Sequence, residues 1–184
     1  MRTQTHTAKL KPTLLALVTS ASFFAGLGAV VWAATSGVTR AHAAEVGQPA
    51  PDVDLPGTPV AAKLADLRGR YVYVDFWASW CGPCKQSFPW MAALQARYQP
   101  TELTVLTINL DKQRRDADRF VQQNPAAFAV AYDPAGESAK RFALKTMPSS
   151  YLIGPDGQVL WAHRGFTLDE RAELDRQIDR ILKK

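Results

Sequence analysis

Seven consecutive residues, Tyr71-Val72-Tyr73-Val74-Asp75-Phe76-Trp77, are apolar at both alternating sets of positions except for one aspartate. A strand with one wet face alternates apolar with polar residues, whereas this run fits a strand covered on both sides, the usual setting of a parallel strand inside a sheet. The chain must therefore supply layers for both faces. A helix is expected from about Cys81 to Tyr98, a second strand over Leu103–Leu110, a polar-faced helix over Arg114–Gln123 that stops by Pro125, and a short strand over Phe128–Tyr132. Glu137–Leu144 reads as helix, Ser150–Ile153 as a strand, Pro155-Asp156-Gly157 as a hairpin turn, Gln158–His163 as the returning strand, and Leu168–Leu182 as an amphipathic helix. Strands alternating with helices, then a hairpin and a last helix, predict an α/β fold with a central mixed sheet flanked by helices.

The N-terminus reads as an address. Arg2, Lys9 and Lys11 precede residues 13–34, which contain no charge, and Ala41-His42-Ala43 offers the small residues of a cleavage site before Ala44. The uncharged run is longer than an ordinary signal core and close to the ~20 residues that span a bilayer, so a cleaved signal and an uncleaved anchor both fit. Either way the cations before the run keep the N-terminus cytoplasmic and export the rest, in a bacterium to the periplasm. Residues 1–43 are thus expected to be a signal peptide or membrane anchor. Residues 44–59, with Pro49, Pro51, Pro56 and Pro59, read as an extended lead-in ending near a first short strand, and 60–184 as the folded domain. Of 22 Lys plus Arg, the four at Arg2, Lys9, Lys11 and Arg40 precede the first acid, leaving 18 against 17 Asp plus Glu. An exported part so nearly neutral has no cationic track for a nucleic-acid backbone.

The two cysteines stand at Trp80-Cys81-Gly82-Pro83-Cys84, straight after the buried strand and at the start of a helix. Unpaired N–H groups and the positive dipole end of a first helical turn stabilise a thiolate on Cys81, the form that attacks disulfides. Cys84, one turn on, is placed to resolve the mixed disulfide, with Gly82 and Pro83 permitting and stiffening the turn. Other readings are a static disulfide, which so short a loop makes weakly stabilising, or part of a metal site. The histidines are His6, His42 and His163, and only His163 lies in the folded part. Asp75 reads as a carboxyl desolvated in an apolar strand, hence raised in pKa, or as a strand-end aspartate reaching solvent.

The segment Asp75-Phe76-Trp77-Ala78-Ser79-Trp80-Cys81-Gly82-Pro83-Cys84-Lys85 resembles the active site of thioredoxins, and more closely that of the extracytoplasmic TlpA-like reductases. Met147-Pro148-Ser149-Ser150-Tyr151-Leu152-Ile153, with Asp156-Gly157, resembles their cis-proline loop and terminal hairpin, so the resemblance covers roughly residues 46–184. It implies a thioredoxin fold with a TlpA-type insertion around Arg114–Tyr132, a cis Pro148, and Met147 backbone pairing with an incoming substrate strand. It further implies that Asp75 takes the proton of Cys84 and that Pro89 kinks the active-site helix. Trp80 and Trp77 read either as a shield over the cysteines or as plain core. Thr107 stands where thioredoxins carry a lysine near the buried aspartate, and Ser87 where many haem-pathway reductases carry a glutamate. Asp111–Asp116 reads as a solvated helix face or a partner-recognition face; His163 reads as structural.

The expected function is a thiol–disulfide oxidoreductase needing no cofactor, with Cys81, Cys84 and Asp75 catalytic and Trp80, Gly82, Pro83, Met147 and Pro148 contacting substrate. Its partners are disulfide-containing exported proteins and a membrane thiol donor, with no nucleic acid, and it meets the membrane only through residues 13–34 if these are uncleaved. Alternatives are a disulfide-donating oxidant, a copper-binding assembly chaperone using Cys81, Cys84 and His163, and a non-catalytic interaction module.

Overall fold

The computed structural model describes residues 44–125 and 127–183, so the signal or anchor expected in 1–43 lies outside the described residues. In chain order the elements are β1 (Tyr71–Trp77), α1 (Gly82–Arg97), β2 (Leu103–Asn109), α2 (Arg114–Gln123), β3 (Ala129–Tyr132), α3 (Glu137–Arg141), β4 (Ser149–Ile153), β5 (Val159–Arg164) and α4 (Arg171–Leu182), with a short 3-10 turn at Leu64–Leu67. The strands form one mixed sheet in the order β3-β2-β1-β4-β5. β2 runs parallel to both β1 and β3, β4 is antiparallel to β1, and β5 antiparallel to β4. The doubly apolar strand is therefore the middle one, as its composition requires.

Alternation along β1 sends Tyr73 and Trp77 into one core and Val72, Val74 and Phe76 into the other. The first core is closed by Phe88, Met91 and Leu94 of α1, Phe120 of α2, and Leu174 and Ile178 of α4. The second is closed by the lead-in through Val53 and Leu55, by Leu64 and Leu67, and by Phe142 after α3. Trp77 sits at the centre of an aromatic group, 4.6 Å from Phe88 and 5.0 Å from Phe120 between ring centres. A buried Gln95 on α1 receives a 2.7 Å bond from Val105 N–H and gives one of 3.0 Å to the Leu103 carbonyl. Those groups belong to the part of β2 before its pairing with β3 begins at Leu106.

Three expectations differ from what is observed. The first short strand is absent. The lead-in forms only isolated bridges, Pro49 with Gln158 and Asp54 with Lys63, because its prolines withhold the donors that a longer ladder needs. The bridge at Pro49 covers the outer edge of β5, where Val159 N–H donates to Gln48 and Gly47 N–H to Val159. Helix α3 stops at Arg141 instead of Leu144, since Ala143 takes a left-handed φ of 50° that ends the helical path. Helix α4 begins at Arg171, after a turn in which Glu170 Oε2 binds the backbone N–H and hydroxyl of Thr167.

Candidate active site

Cys81 and Cys84 are joined as a disulfide with their Cα atoms 5.2 Å apart. Cys81 is the N-cap of α1, with extended backbone, and its sulfur accepts the Cys84 N–H at 3.3 Å. The sulfur thus takes one of the helix-end donors that the helix itself leaves unpaired. Pro83 lies in the first turn, where a missing N–H costs nothing. Cys84 is fully buried, Cys81 is 6% exposed, and Trp80 beside them is 69% exposed. Trp77 is buried in the core that also takes in Cys81 and Cys84, while Trp80 projects into solvent beside Cys81 at the groove.

Gly82 is not a glycine that the turn requires. Its φ is not positive, and a Cβ there would meet nothing within 4 Å, so the backbone does not require glycine at this place. Pro89 stands inside α1 and leaves the Lys85 carbonyl without its usual helical donor. Ser87, three residues past Cys84, is buried and donates its hydroxyl to the Cys84 carbonyl at 2.9 Å.

Asp75 lies on the cysteine side of the sheet, between Tyr73 and Trp77, and is 1% exposed. Oδ1 accepts the Ser150 hydroxyl at 2.6 Å, whereas Oδ2 is buried with no hydrogen bond from the protein. Burial pushes the carboxyl up to about 7, against a smaller lowering by the Ser150 bond. Thr107, opposite Asp75 on β2, gives its hydroxyl to the Ala129 carbonyl at 3.2 Å. Tyr73 is pushed well up by burial, then by the nearby Asp75 charge.

The Met147-Pro148 peptide is cis. An open groove beside the disulfide is lined by Trp80, Cys81, Gly82 and Pro83 and by Leu144, Lys145 and Met147 from the chain leading into β4. The loop that presents Cys81 is anchored through Ser79 by Asp111. Asp111, taken as part of a solvated or recognition face, is 4% exposed, and its carboxylate accepts the Ser79 N–H at 2.9 Å, the Ser79 hydroxyl at 3.0 Å and the Asn109 side-chain N–H at 2.8 Å. His163 stacks on Trp161 with ring centres 5.5 Å apart and stands opposite Ser150 on β5. Among the described residues no three His, Cys, Asp or Glu side chains are grouped to hold a metal ion, so Cys81, Cys84 and His163 do not form a ligand set.

A family model described as AhpC/TSA matches residues 46–162. The chain belongs to the AhpC/TSA family. It is 31% identical over 138 residues to the thiol-disulfide oxidoreductase ResA of Bacillus thuringiensis subsp. konkukian, covering 73% of this chain and 79% of the relative. It is 32% identical over 132 residues to ResA of Bacillus cereus, covering 70% and 75%. The crystal structure of a Chlorobium tepidum protein assigned as the thiol:disulfide interchange protein DsbE superposes with a TM-score of 0.71 at 46% identity, covering 75% of this chain and 98% of that one. StoA from Bacillus subtilis, at 21% identity and a TM-score of 0.59, shares the fold. The thioredoxin fold and the redox-active Cys81–Cys84 pair make this family member a thiol–disulfide oxidoreductase.

Proposed function

We propose that the protein reduces disulfides of exported proteins, with Cys81 as nucleophile, Cys84 as resolving thiol and Asp75 as proton acceptor. The observation that carries this reading is the asymmetry of the pair: Cys81 caps the helix at the groove, and Cys84 is shut inside. In the dithiol form the Cys84 N–H and the helix end favour negative charge on the Cys81 sulfur. The Cys81 thiolate attacks one substrate sulfur, forming a mixed disulfide and expelling the other sulfur as a thiolate. Cys84 then loses its proton to Asp75 and attacks the Cys81 sulfur. The mixed disulfide breaks, the second substrate thiolate leaves, and the Cys81–Cys84 disulfide forms with two electrons passed to the substrate. Asp75 afterwards returns its proton to solvent.

Trp80, Gly82, Pro83, Met147 and Pro148 contact the substrate segment in this account, all but Pro148 lining the groove. The catalytic domain works in the periplasm, delivered by residues 1–43 either as a cleaved signal or as an anchor through 13–34. A membrane thiol donor returns the disulfide to the dithiol. The test is mixed-disulfide trapping. Cys81→Ser should lose disulfide reduction, and Cys84→Ser should accumulate a covalent adduct through Cys81. Wild-type reduction by Cys81→Ser would overturn the reading.

A further inference from the structure

We propose that Ser150 is a positioning residue for the thiol–disulfide reaction: its hydroxyl fixes the Asp75 carboxyl and sets the pH at which that carboxyl can take the Cys84 proton. The inference rests on the reading of Asp75 as proton acceptor. Ser150 is 4% exposed, faces Asp75 across the β1–β4 ladder, and gives it the one protein hydrogen bond recorded for that carboxylate among the described residues. By occupying Oδ1, it leaves Oδ2 as the oxygen without a protein partner, and so as the one available to an arriving proton. The hydroxyl of Thr107, the other lateral neighbour, is committed to Ala129 and does not substitute for it.

The placement also joins two parts of the site. Ser150 follows the cis Met147-Pro148 peptide by two residues, so the segment lining the groove continues directly into β4, whose Ser150 bonds the Asp75 carboxylate of β1. A donor to a carboxylate favours the charged form, opposing the burial that favours the neutral one. The other titratable groups on this side, among the described residues, are Tyr73 on β1, which Ser150 also hydrogen-bonds, Cys81 and Cys84 at the start of α1, His163 opposite Ser150 on β5 with Glu170 Oε2 4.0 Å from its Nε2, and Tyr71, Tyr98 and Tyr132, partly buried against the core. The side chains that α2 and α4 send into this core, Ala117, Phe120, Leu174 and Ile178, are apolar. Asp175 at the margin of α4 is bound to Trp90 and Arg97.

The experiment is a carbon-13 NMR titration of the Asp75 carboxyl in the oxidised full-length protein, paired with the pH dependence of mixed-disulfide release in a single turnover of the reduced protein. Ser150→Ala should raise the Asp75 midpoint by about one unit, the size expected for losing a hydrogen bond to a charged group. The release profile should move the same way. Ser150→Thr should restore the wild-type midpoint and Ser150→Val, of nearly the same shape, should not; a merely structural role would not separate that pair. His163→Gln should leave the midpoint in place. An unmoved midpoint in both Ser150→Ala and Ser150→Val would overturn the proposal. Asp75→Asn separates the two readings: a wild-type release profile in that variant removes Asp75 as acceptor, while the Ser150 titration is still read by itself.

Discussion

At Asp75 burial opposes charge, and the stability cost has a definite sign. The folded protein holds the carboxyl protonated up to about pH 7, whereas the unfolded chain releases that proton near 3.8. Between those values the unfolded state binds fewer protons, so stability falls as pH rises through this window and is level above it. The gap of roughly three units corresponds to about 4 kcal/mol. Asp75→Asn should therefore raise the urea midpoint of the oxidised protein at pH 8 and change it little at pH 4; equal effects at both pH values would contradict this account. The burial of Asp75 was legible in the sequence because its neighbours on both faces are large and apolar. Gly82 and Asp111 were not. Gly82 resembled a turn glycine only by its position between the cysteines, and Gly82→Ala should fold with a melting temperature within a few degrees of wild type. Asp111 lies in a charged run, but its partner Ser79 is 32 positions away, and local charge pattern carries no information about such a bond. Asp111→Ala leaves the half-buried Ser79 and the buried Asn109 donors without an acceptor and should cost about 2–4 kcal/mol in denaturant unfolding.

Helix α1 and strand β2 were readable because their signals are local: a run of β-branched residues, and a helix start marked by proline in the first turn. Their mutual fastening was not readable. Gln95 in the sequence is one more polar helical residue, yet it serves Val105 and Leu103 where β2 has no neighbour on that side. Replacing it by leucine should destabilise by about 1–3 kcal/mol, seen as faster amide exchange at Val105 ahead of the rest of β2. Helix α3 ended early for a reason with no sequence marker. Ala143 adopts a conformation usually left to glycine or asparagine, so Ala143→Gly should stabilise the protein by about 0.5–1 kcal/mol in thermal unfolding. The first short strand failed for a better-marked reason, since a lead-in dense in proline was already a poor candidate for a ladder.

The sheet and its two cores place a reactive pair just after the middle strand, whose backbone is paired on both sides and whose Asp75 lies on the same side of the sheet as the cysteines. The mixed sheet and its doubly covered strand followed from the pattern of strands and helices, whereas the order β3-β2-β1-β4-β5, with β1 between parallel β2 and antiparallel β4, is seen in the fold. The bonds from Ser150 to Asp75 and from Ser79 to Asp111 depend on which distant residues the fold brings together. Direction of electron flow belongs to the protein as a unit, because helix end, burial and the Asp75 proton all enter the balance between dithiol and disulfide. It is settled by equilibrating the full-length protein with thiol/disulfide buffers of known potential and quantifying the free Cys81 and Cys84 thiols. A reductant of exported disulfides should show a midpoint near about -270 mV at neutral pH, while a midpoint near about -120 mV would make the protein a disulfide donor and reverse the proposed reaction.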